Sequence, residues 1–245
     1  MKVTALWRHP IKSHGREALT RVTLNEGQSM PYDRLWGVAH DAAKADSSEW
    51  VACQNFSRGA KSPSLMAITA TLDEETETLT LRHPDQPDLT VQPDVDPEAL
   101  LEWVSPLANS SRAMPARILR LDGRSFTDTP FPSISLCNRA THAAVEALAG
   151  APLQTDRWRG NIWFDGAPAW SEFDWIGREA KLGTVRLKIE ERITRCLATT
   201  VNTDTGVRDV DTLKALNTLG HQDFGIYARV IETGQVAVGD QLELI

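Results

Sequence analysis

The sequence contains only three cysteines among its 245 residues. Cys53, Cys137 and Cys196 are widely spaced and form no Cys-x-x-Cys segment. This scarcity argues against a disulfide scaffold, a four-cysteine zinc site and a self-contained iron–sulfur cluster. The six histidines show neither His-x-x-x-His nor His-x-His spacing, so a zinc-dependent catalytic site has little support either.

Long apolar runs and glycine-rich phosphate loops are also missing. No stretch approaches the ~18 consecutive apolar residues of a membrane span, and residues 1–10 lack the apolar core of a secretory signal. Neither a GxGxxG nor a Walker-type loop occurs. Twenty-six basic against 33 acidic residues give a net charge of −7, which argues against a broad nucleic-acid or anionic-membrane surface. These absences predict a soluble, cytoplasmic protein with no nucleic-acid or membrane partner.

The first half of the sequence is predicted to be mostly β-structure. The clearest hairpin joins residues 65–72 to residues 78–81 across the acidic turn 73–77, because residues 78–81 alternate with a period of two. A short helix is predicted from Asp96 and Pro97 onward, with proline at its first position. Residues 116–121 form a further predicted strand.

The second half combines one clear helix with many short strands. Residues 138–149 are alanine-rich, Gly150 follows where a helix-ending glycine belongs, and Pro152 prevents continuation. A short helix is predicted over residues 211–219. Strands are predicted over residues 162–164, 185–189, 196–201, 226–231, 236–238 and 242–244. Many short strands with few helices predict a mainly β (α+β), barrel-like fold.

Cys196 is the most reactive candidate, since it directly follows Arg195 and a neighbouring cation favours the thiolate. The alternative interpretation is a small buried hydrophobe on a strand. The basic side chains form separate clusters, Arg8 with Lys12, then Arg34, then Arg157 with Arg159. If they converge, they form an anion pocket to which Ser13 adds a hydroxyl; otherwise they are independent surface charges.

Taken together, several short motifs resemble the MOSC family, named for the C-terminal domain of molybdenum cofactor sulfurase, with its N-terminal β-barrel partner domain. The resemblance covers nearly the whole chain and rests on the order and spacing of its motifs. These motifs are His9-Pro10-Ile11-Lys12-Ser13, Asp33-Arg34-Leu35-Trp36, Thr129-Pro130-Phe131, Arg157-Trp158-Arg159-Gly160-Asn161-Ile162, Arg195-Cys196 with Thr199-Thr200-Val201 and Asp204-Thr205-Gly206, and Phe224-Gly225-Ile226-Tyr227.

The resemblance implies an N-terminal β-barrel domain over residues 1–122 and a MOSC β-barrel domain with a few helices over residues 123–245. It also implies a molybdenum–molybdopterin cofactor (Moco). Cys196 would be the molybdenum ligand and catalytic residue, and a thiolate suits that soft metal. The residues that would bind the cofactor are Lys12, Ser13, Arg34, Thr129, Arg157, Arg159, Asn161 and Thr199.

Two functions follow from the resemblance. The first is an oxidoreductase, similar to the amidoxime-reducing members, that reduces a small N-hydroxylated substrate. Because the chain has no cysteine cluster, its electrons are expected from a separate ferredoxin- or flavoprotein-like partner. The second is a sulfur carrier, in which Cys196 holds a persulfide received from a PLP-dependent sulfurase.

Three positions depart from the family pattern. Gly160 replaces the usual proline, Ile193 stands where members often have an additional cysteine, and His9 replaces a tyrosine. Gly160 is expected to loosen the backbone beside Arg159. None of the three removes Cys196 as the candidate ligand.

Overall fold

The computed structural model describes all 245 residues, and strands make up most of its regular structure. The fifteen strands are β1 (Lys2–Arg8), β2 (Glu17–Leu19), β3 (Arg21–Leu24), β4 (Trp36–His40), β5 (Thr69–Asp73), β6 (Thr78–His83), β7 (Gln86–Val91), β8 (Pro115–Arg120), β9 (Ile134–Asn138), β10 (Ile162–Asp165), β11 (Glu179–Leu182), β12 (Val185–Thr194), β13 (Asp223–Glu232), β14 (Gly234–Ala237) and β15 (Leu242–Leu244). The α-helices are α1 (Pro97–Val104), α2 (Arg139–Ala149) and α3 (Thr212–Asn217). No helix is both long and apolar enough to cross a membrane.

An eight-stranded sheet, curled into a half-barrel, forms the largest unit, with the order β15-β11-β12-β13-β9-β10-β1-β2. Most pairs in it are antiparallel, but β9 and β10 run parallel. Three smaller sheets contain β5-β6-β7, β4-β8 and β3-β14. The predicted mainly β fold with few helices is confirmed.

The beginning of the chain pairs with its second half. In β1, Leu6 lies opposite Ile162 of β10, and in β3, Val22 lies opposite Val236 of β14. Sheet pairing therefore crosses the division expected at residues 122 and 123, which stays a prediction. This crossing brings the segment that follows β1 next to the second half of the chain.

The helix ends follow the sequence signals closely. Asp96 Oδ1 accepts a hydrogen bond from Ala99 N at 3.1 Å, and Pro97 opens α1. Asn138 caps α2, and Gly150 ends it in the left-handed conformation with φ 68°. Each cap satisfies backbone groups that a helix end leaves without a partner.

One predicted strand is partly wrong, and another is wrong. Residues 65–67 belong to a 3₁₀ segment that Pro63 opens, and the strand starts only at Thr69. Residues 196–201 form no strand, because Leu197–Thr200 is a 3₁₀ turn. There the hydroxyl of Thr200 donates to Leu197 O at 2.9 Å, a local bond that competes with sheet pairing.

Candidate functional site

Most of the predicted site residues lie around one cavity of about 230 Å³. Lys12, Ser13 and Arg34 reach it from the first half of the chain. The second half contributes Arg157, Arg159, Cys196 and Thr199. Lys12, Arg34, Arg157 and Arg159 therefore converge, and the alternative of independent charges is wrong for these four residues. Arg8, which was grouped with Lys12, does not line the cavity and pairs instead with Glu17 at 2.7 Å and with Glu74 at 2.5 Å.

The backbone around this cavity is strained. Six non-glycine residues have a positive φ, and three of them, Ser13 (65°), Arg34 (53°) and Arg159 (51°), line the cavity. Such conformations cost roughly 1–3 kcal/mol each and persist where the surroundings enforce them. The fold thus holds Ser13, Arg34 and Arg159 at the cavity with backbone conformations that serine and arginine rarely adopt.

Lys12 is held by the turn between β1 and β2. Its backbone N donates to Trp36 O at 2.8 Å, and its Nζ donates to Phe126 O and to Asp128 Oδ1, both at 2.7 Å. Burial raises the pKa of Asp128, but Lys12 and Arg34 together hold that pKa at about 2. Asp128 is therefore ionised, and it is the only acidic side chain that lines the cavity.

Arg34 is oriented by a buried chain of polar contacts. Its guanidinium pairs with Asp33, and Asp33 also accepts from His9 N at 2.8 Å and contacts His9 Nδ1 at 3.2 Å. Burial opposes the charge on Asp33, but Arg34 and His9 outweigh burial and lower the pKa of that carboxyl. The second guanidinium nitrogen of Arg34 donates to Arg159 O at 3.0 Å, so this chain links the two halves.

Arg159 is a cation without a carboxylate partner. Its guanidinium donates only to Gly15 O at 3.0 Å and to Ile11 O at 3.3 Å. Burial and the nearby charge of Arg34 lower the pKa of Arg159 to about 9. An anion in the cavity would offset this cation–cation repulsion, so the electrostatics favour negative charge beside Arg159.

Two predicted site residues, Arg157 and Thr199, are already engaged in the protein's own structure. Arg157 lies in the cavity wall and pairs with Asp209 at 3.2 Å. Thr199 Oγ1 contacts Thr212 Oγ1 at 2.7 Å and donates to the Cys196 carbonyl at 3.1 Å. These contacts hold the 3₁₀ turn that follows Cys196.

Two other predicted residues lie outside the main cavity. Asn161 lines a small neighbouring cavity of about 10 Å³, and its amide oxygen accepts from Ser135 N at 3.1 Å. Thr129 lines neither cavity, because its hydroxyl donates to Phe131 O at 2.6 Å and contacts Ser133 Oγ at 2.8 Å. The side chains of Asn161 and Thr129 therefore hydrogen-bond to the backbone near the site, at Ser135 and Phe131.

Cys196 is exposed and lines the cavity, so the interpretation of this residue as a buried hydrophobe is wrong. The neighbouring cation, Arg195, nevertheless makes its hydrogen bonds with other residues. The Arg195 guanidinium donates to Trp158 O and Phe224 O at 2.8 Å, and the sulfur it contacts, at 3.8 Å, is that of Cys137. Adjacency in sequence therefore does not place the Arg195 charge on Cys196 Sγ.

Cys137 is the buried thiol of the chain, and burial raises its pKa to about 11. Its sulfur also explains the glycine at position 160, since a Cβ there would lie 2.5 Å from Cys137 Sγ. A proline, the usual residue of the family, also carries a Cβ. Gly160 therefore makes room for a neighbour, which is a different role from the expected loosening of the backbone.

Replacing Gly160 with alanine is expected to lower the free energy of unfolding by about 1–3 kcal/mol through overpacking. Adding Cys137→Ala should restore most of this loss, because the clashing sulfur is then gone. Urea denaturation of the two single variants and the double variant measures the coupling. Strictly additive effects would contradict this packing explanation.

Two buried histidines flank the turn that carries Lys12. Burial lowers the pKa of His9 to about 3 and that of His14 to about 4. His14 Nδ1 lies 2.7 Å from the Lys12 carbonyl, and Lys12 O acts as the acceptor. Both imidazoles are therefore neutral at physiological pH and serve to hold this turn.

Because these two histidines stay neutral in the folded chain, stability should decrease with acidity. The unfolded chain takes up protons below pH about 6.5, whereas the folded chain does so only near 4 and 3. Each histidine contributes up to about 1.4 kcal/mol per pH unit in that window. Urea unfolding between pH 7.5 and 5 measures the slope, and His14→Gln should reduce it. A free energy of unfolding that is independent of pH in this range would contradict the assignment.

Four further residues with ionisable side chains line the cavity without having been singled out as site residues: Cys53, Arg58, Asp128 and Tyr227. Burial, together with the Asp128 charge, raises the pKa of Tyr227, so its hydroxyl is protonated. Tyr227 belongs to the Phe224-Gly225-Ile226-Tyr227 motif, so the sequence motif could have identified it as a site residue. Cys53 and Arg58 carry no such signal, because only folding brings their segment to the cavity.

The fold and the cavity together define a mainly β protein with a cation-rich cavity that residues of both halves line. The MOSC domain family matches residues 124–243, and the MOSC N-terminal beta barrel domain matches residues 1–114. The chain belongs to the MOSC family.

Three curated proteins illustrate this membership. Mitochondrial amidoxime-reducing component 1 of Mus musculus is 24% identical over 296 aligned residues, covering 99% of this chain and 82% of that protein. Molybdenum cofactor sulfurase of Drosophila ananassae is 29% identical over 157 residues, 58% of this chain and 20% of that protein. Mitochondrial amidoxime reducing component 2 of Homo sapiens is 34% identical over 101 residues, 36% of this chain and 30% of that protein.

Among solved structures, the YUAD protein from Bacillus subtilis aligns with a TM-score of 0.49 at 12% identity. That alignment covers 99% of this chain and 94% of the other.

Proposed function

We propose that this protein is a molybdenum-cofactor-dependent oxidoreductase that reduces N-hydroxylated compounds. The observation that carries the proposal is the cavity in which an exposed thiol, Cys196, and cations from both halves of the chain lie together. The similarity to amidoxime-reducing proteins agrees with this activity.

The residues present fit the cofactor chemically. A cysteine thiolate is a good ligand for a soft, dithiolene-bound metal, and Cys196 is the cavity cysteine that is exposed. Arg159 has no carboxylate partner, and Lys12 and Ser13 lie beside it on the turn after β1, so these three suit a phosphate group. When bound, the cofactor would supply a metal centre that exchanges electrons and an oxygen atom with the substrate.

The chain's own residues would orient and enclose the reactants. Arg34 and Arg159 would position the phosphate, and Trp158 would provide an apolar wall, since it is buried and stacks on Phe224 at 3.9 Å. The Tyr227 hydroxyl is protonated, and because Tyr227 lines the cavity it would donate a hydrogen bond to a bound group there. Electrons would come from a separate ferredoxin- or flavoprotein-like protein, since the three cysteines of this chain are too few for a cluster of their own.

Metal and pterin analysis of the purified protein tests the proposal. We expect close to one molybdenum and one pterin per chain, together with reduction of benzamidoxime by a chemically reduced electron donor. A protein that contains neither molybdenum nor pterin after expression in a host that makes the cofactor would contradict the proposal.

The exposure of Cys196 also favours a second candidate function, a persulfide carrier supplied by a PLP-dependent sulfurase. A carrier needs an accessible thiol and no tightly bound metal. Mass spectrometry of the metal-free protein would then find an additional sulfur on Cys196. Stoichiometric molybdenum without that modification favours the oxidoreductase.

A further inference from the structure

Arg58 differs from the other cations of the cavity. The guanidinium of Arg58 makes a single hydrogen bond, from Nη1 to Cys53 Sγ at 3.2 Å, and none to an oxygen. The other basic side chains that line the cavity all donate to oxygen atoms of the chain: Lys12, Arg34, Arg157, Arg159 and Arg195. Four of the five N–H groups of Arg58 therefore remain free.

The segment that carries Arg58 lies against the turn that carries Cys196. A Cβ on Gly59 would be 3.6 Å from Ala198 Cβ. Arg208 joins the two segments, because it donates to Ala60 O at 2.9 Å and also to Leu197 O. The Arg58 guanidinium thus belongs to the side of the cavity where the exposed thiol of Cys196 lies.

The cations assigned to phosphate form a different group. Arg34 bonds to the Arg159 carbonyl, and Arg159 bonds to carbonyls of the turn that holds Lys12. Arg58 makes no hydrogen bond with any of these residues. The cavity therefore has one group of cations that suits phosphate and, separately, one half-buried guanidinium, that of Arg58, on the segment that packs against the turn after Cys196.

We propose that Arg58 binds a carboxylate on the substrate, so that the site prefers N-hydroxylated compounds that carry a carboxylate. This inference rests on the proposed function. A planar guanidinium binds a carboxylate through two parallel hydrogen bonds, and these are stronger than bonds between neutral groups. The sulfur of Cys53 accepts a hydrogen bond from one nitrogen of this guanidinium and leaves its other nitrogens free.

Paired probes test the substrate class, benzamidoxime and 4-carboxybenzamidoxime. Their dissociation constants are measured by isothermal titration calorimetry without an electron donor, and their kcat/KM values are measured with one. The protein should bind 4-carboxybenzamidoxime at least about 10-fold more tightly than benzamidoxime, as expected for a charged hydrogen-bonded pair. Arg58→Gln should abolish this preference and leave the affinity for benzamidoxime unchanged, whereas Arg58→Lys should retain part of it.

Arg112→Gln is the matched control, since it removes the same charge from an exposed arginine outside the cavity, and it should keep the full preference. A preference that persists in Arg58→Gln overturns the inference. So does a loss of pterin in that variant, because Arg58 would then bind the cofactor's phosphate. If neither probe is reduced but the binding preference is present and depends on Arg58, the proposed function fails and the carboxylate subsite stands.

Discussion

Cys196→Ala should lower reductase activity by on the order of 100-fold or more, because changes around a metal ligand alone cost about 10–100-fold. The side chain is exposed and ends at the cavity, so its removal should not unfold the protein. Molybdenum content per pterin should fall as well, since the thiolate is the ligand that the chain offers to a soft metal. Reduction of benzamidoxime and elemental analysis of the same preparation measure both effects.

Cys137→Ala is the control for this variant. It removes a buried thiol that lies outside the cavity lining and whose pKa of about 11 keeps it protonated. Activity and molybdenum content should therefore remain near those of the unaltered protein. An active, molybdenum-containing Cys196→Ala protein would exclude Cys196 as the ligand.

Local sequence signals predicted the helices and most strands of this fold because caps and alternation act over a few residues. Asp96, Asn138 and Gly150 occupy the positions expected of them. The strand predicted at residues 196–201 is wrong because threonine hydroxyls there bond to carbonyls three residues earlier. Thr200 and its neighbours have strand-like side chains, but these local bonds favour a turn.

The convergence of the cations depended on pairing between distant strands. Lys12 reaches the second half because β1 pairs with β10, more than 150 residues later, and no local pattern encodes that register. The family resemblance supplied those residues, as it supplied Arg34 and Arg159. Arg58 was missed because its importance lies in the absence of an oxygen partner, which only a folded structure reveals. Thr129 was predicted as a site residue because of its motif, although its hydroxyl donates a hydrogen bond to Phe131 O within its own loop.

Lys12→Ala and Arg159→Ala should each weaken cofactor retention by about 1–3 kcal/mol, the range for a lost charge-assisted hydrogen bond. The effect of Lys12→Ala should be the larger, because it leaves Asp128 facing the phosphate. Arg34 still favours the ionised form of that carboxyl. Pterin retained after gel filtration, measured against time, reports the dissociation of the cofactor.

A second variant separates the lost cation from the exposed carboxylate. Asp128→Asn in the Lys12→Ala background removes the repulsive charge and should recover part of the cofactor retention. If Lys12 and Asp128 acted independently, the second substitution would not produce this recovery. Lys44→Ala with Arg112→Ala removes two exposed cations outside the cavity and should leave retention unchanged. If Lys12→Ala with Arg159→Ala also keeps its full pterin content, phosphate is not bound by these cations. The lowered pKa of Arg159 must then be a cost of packing the two halves of the chain together.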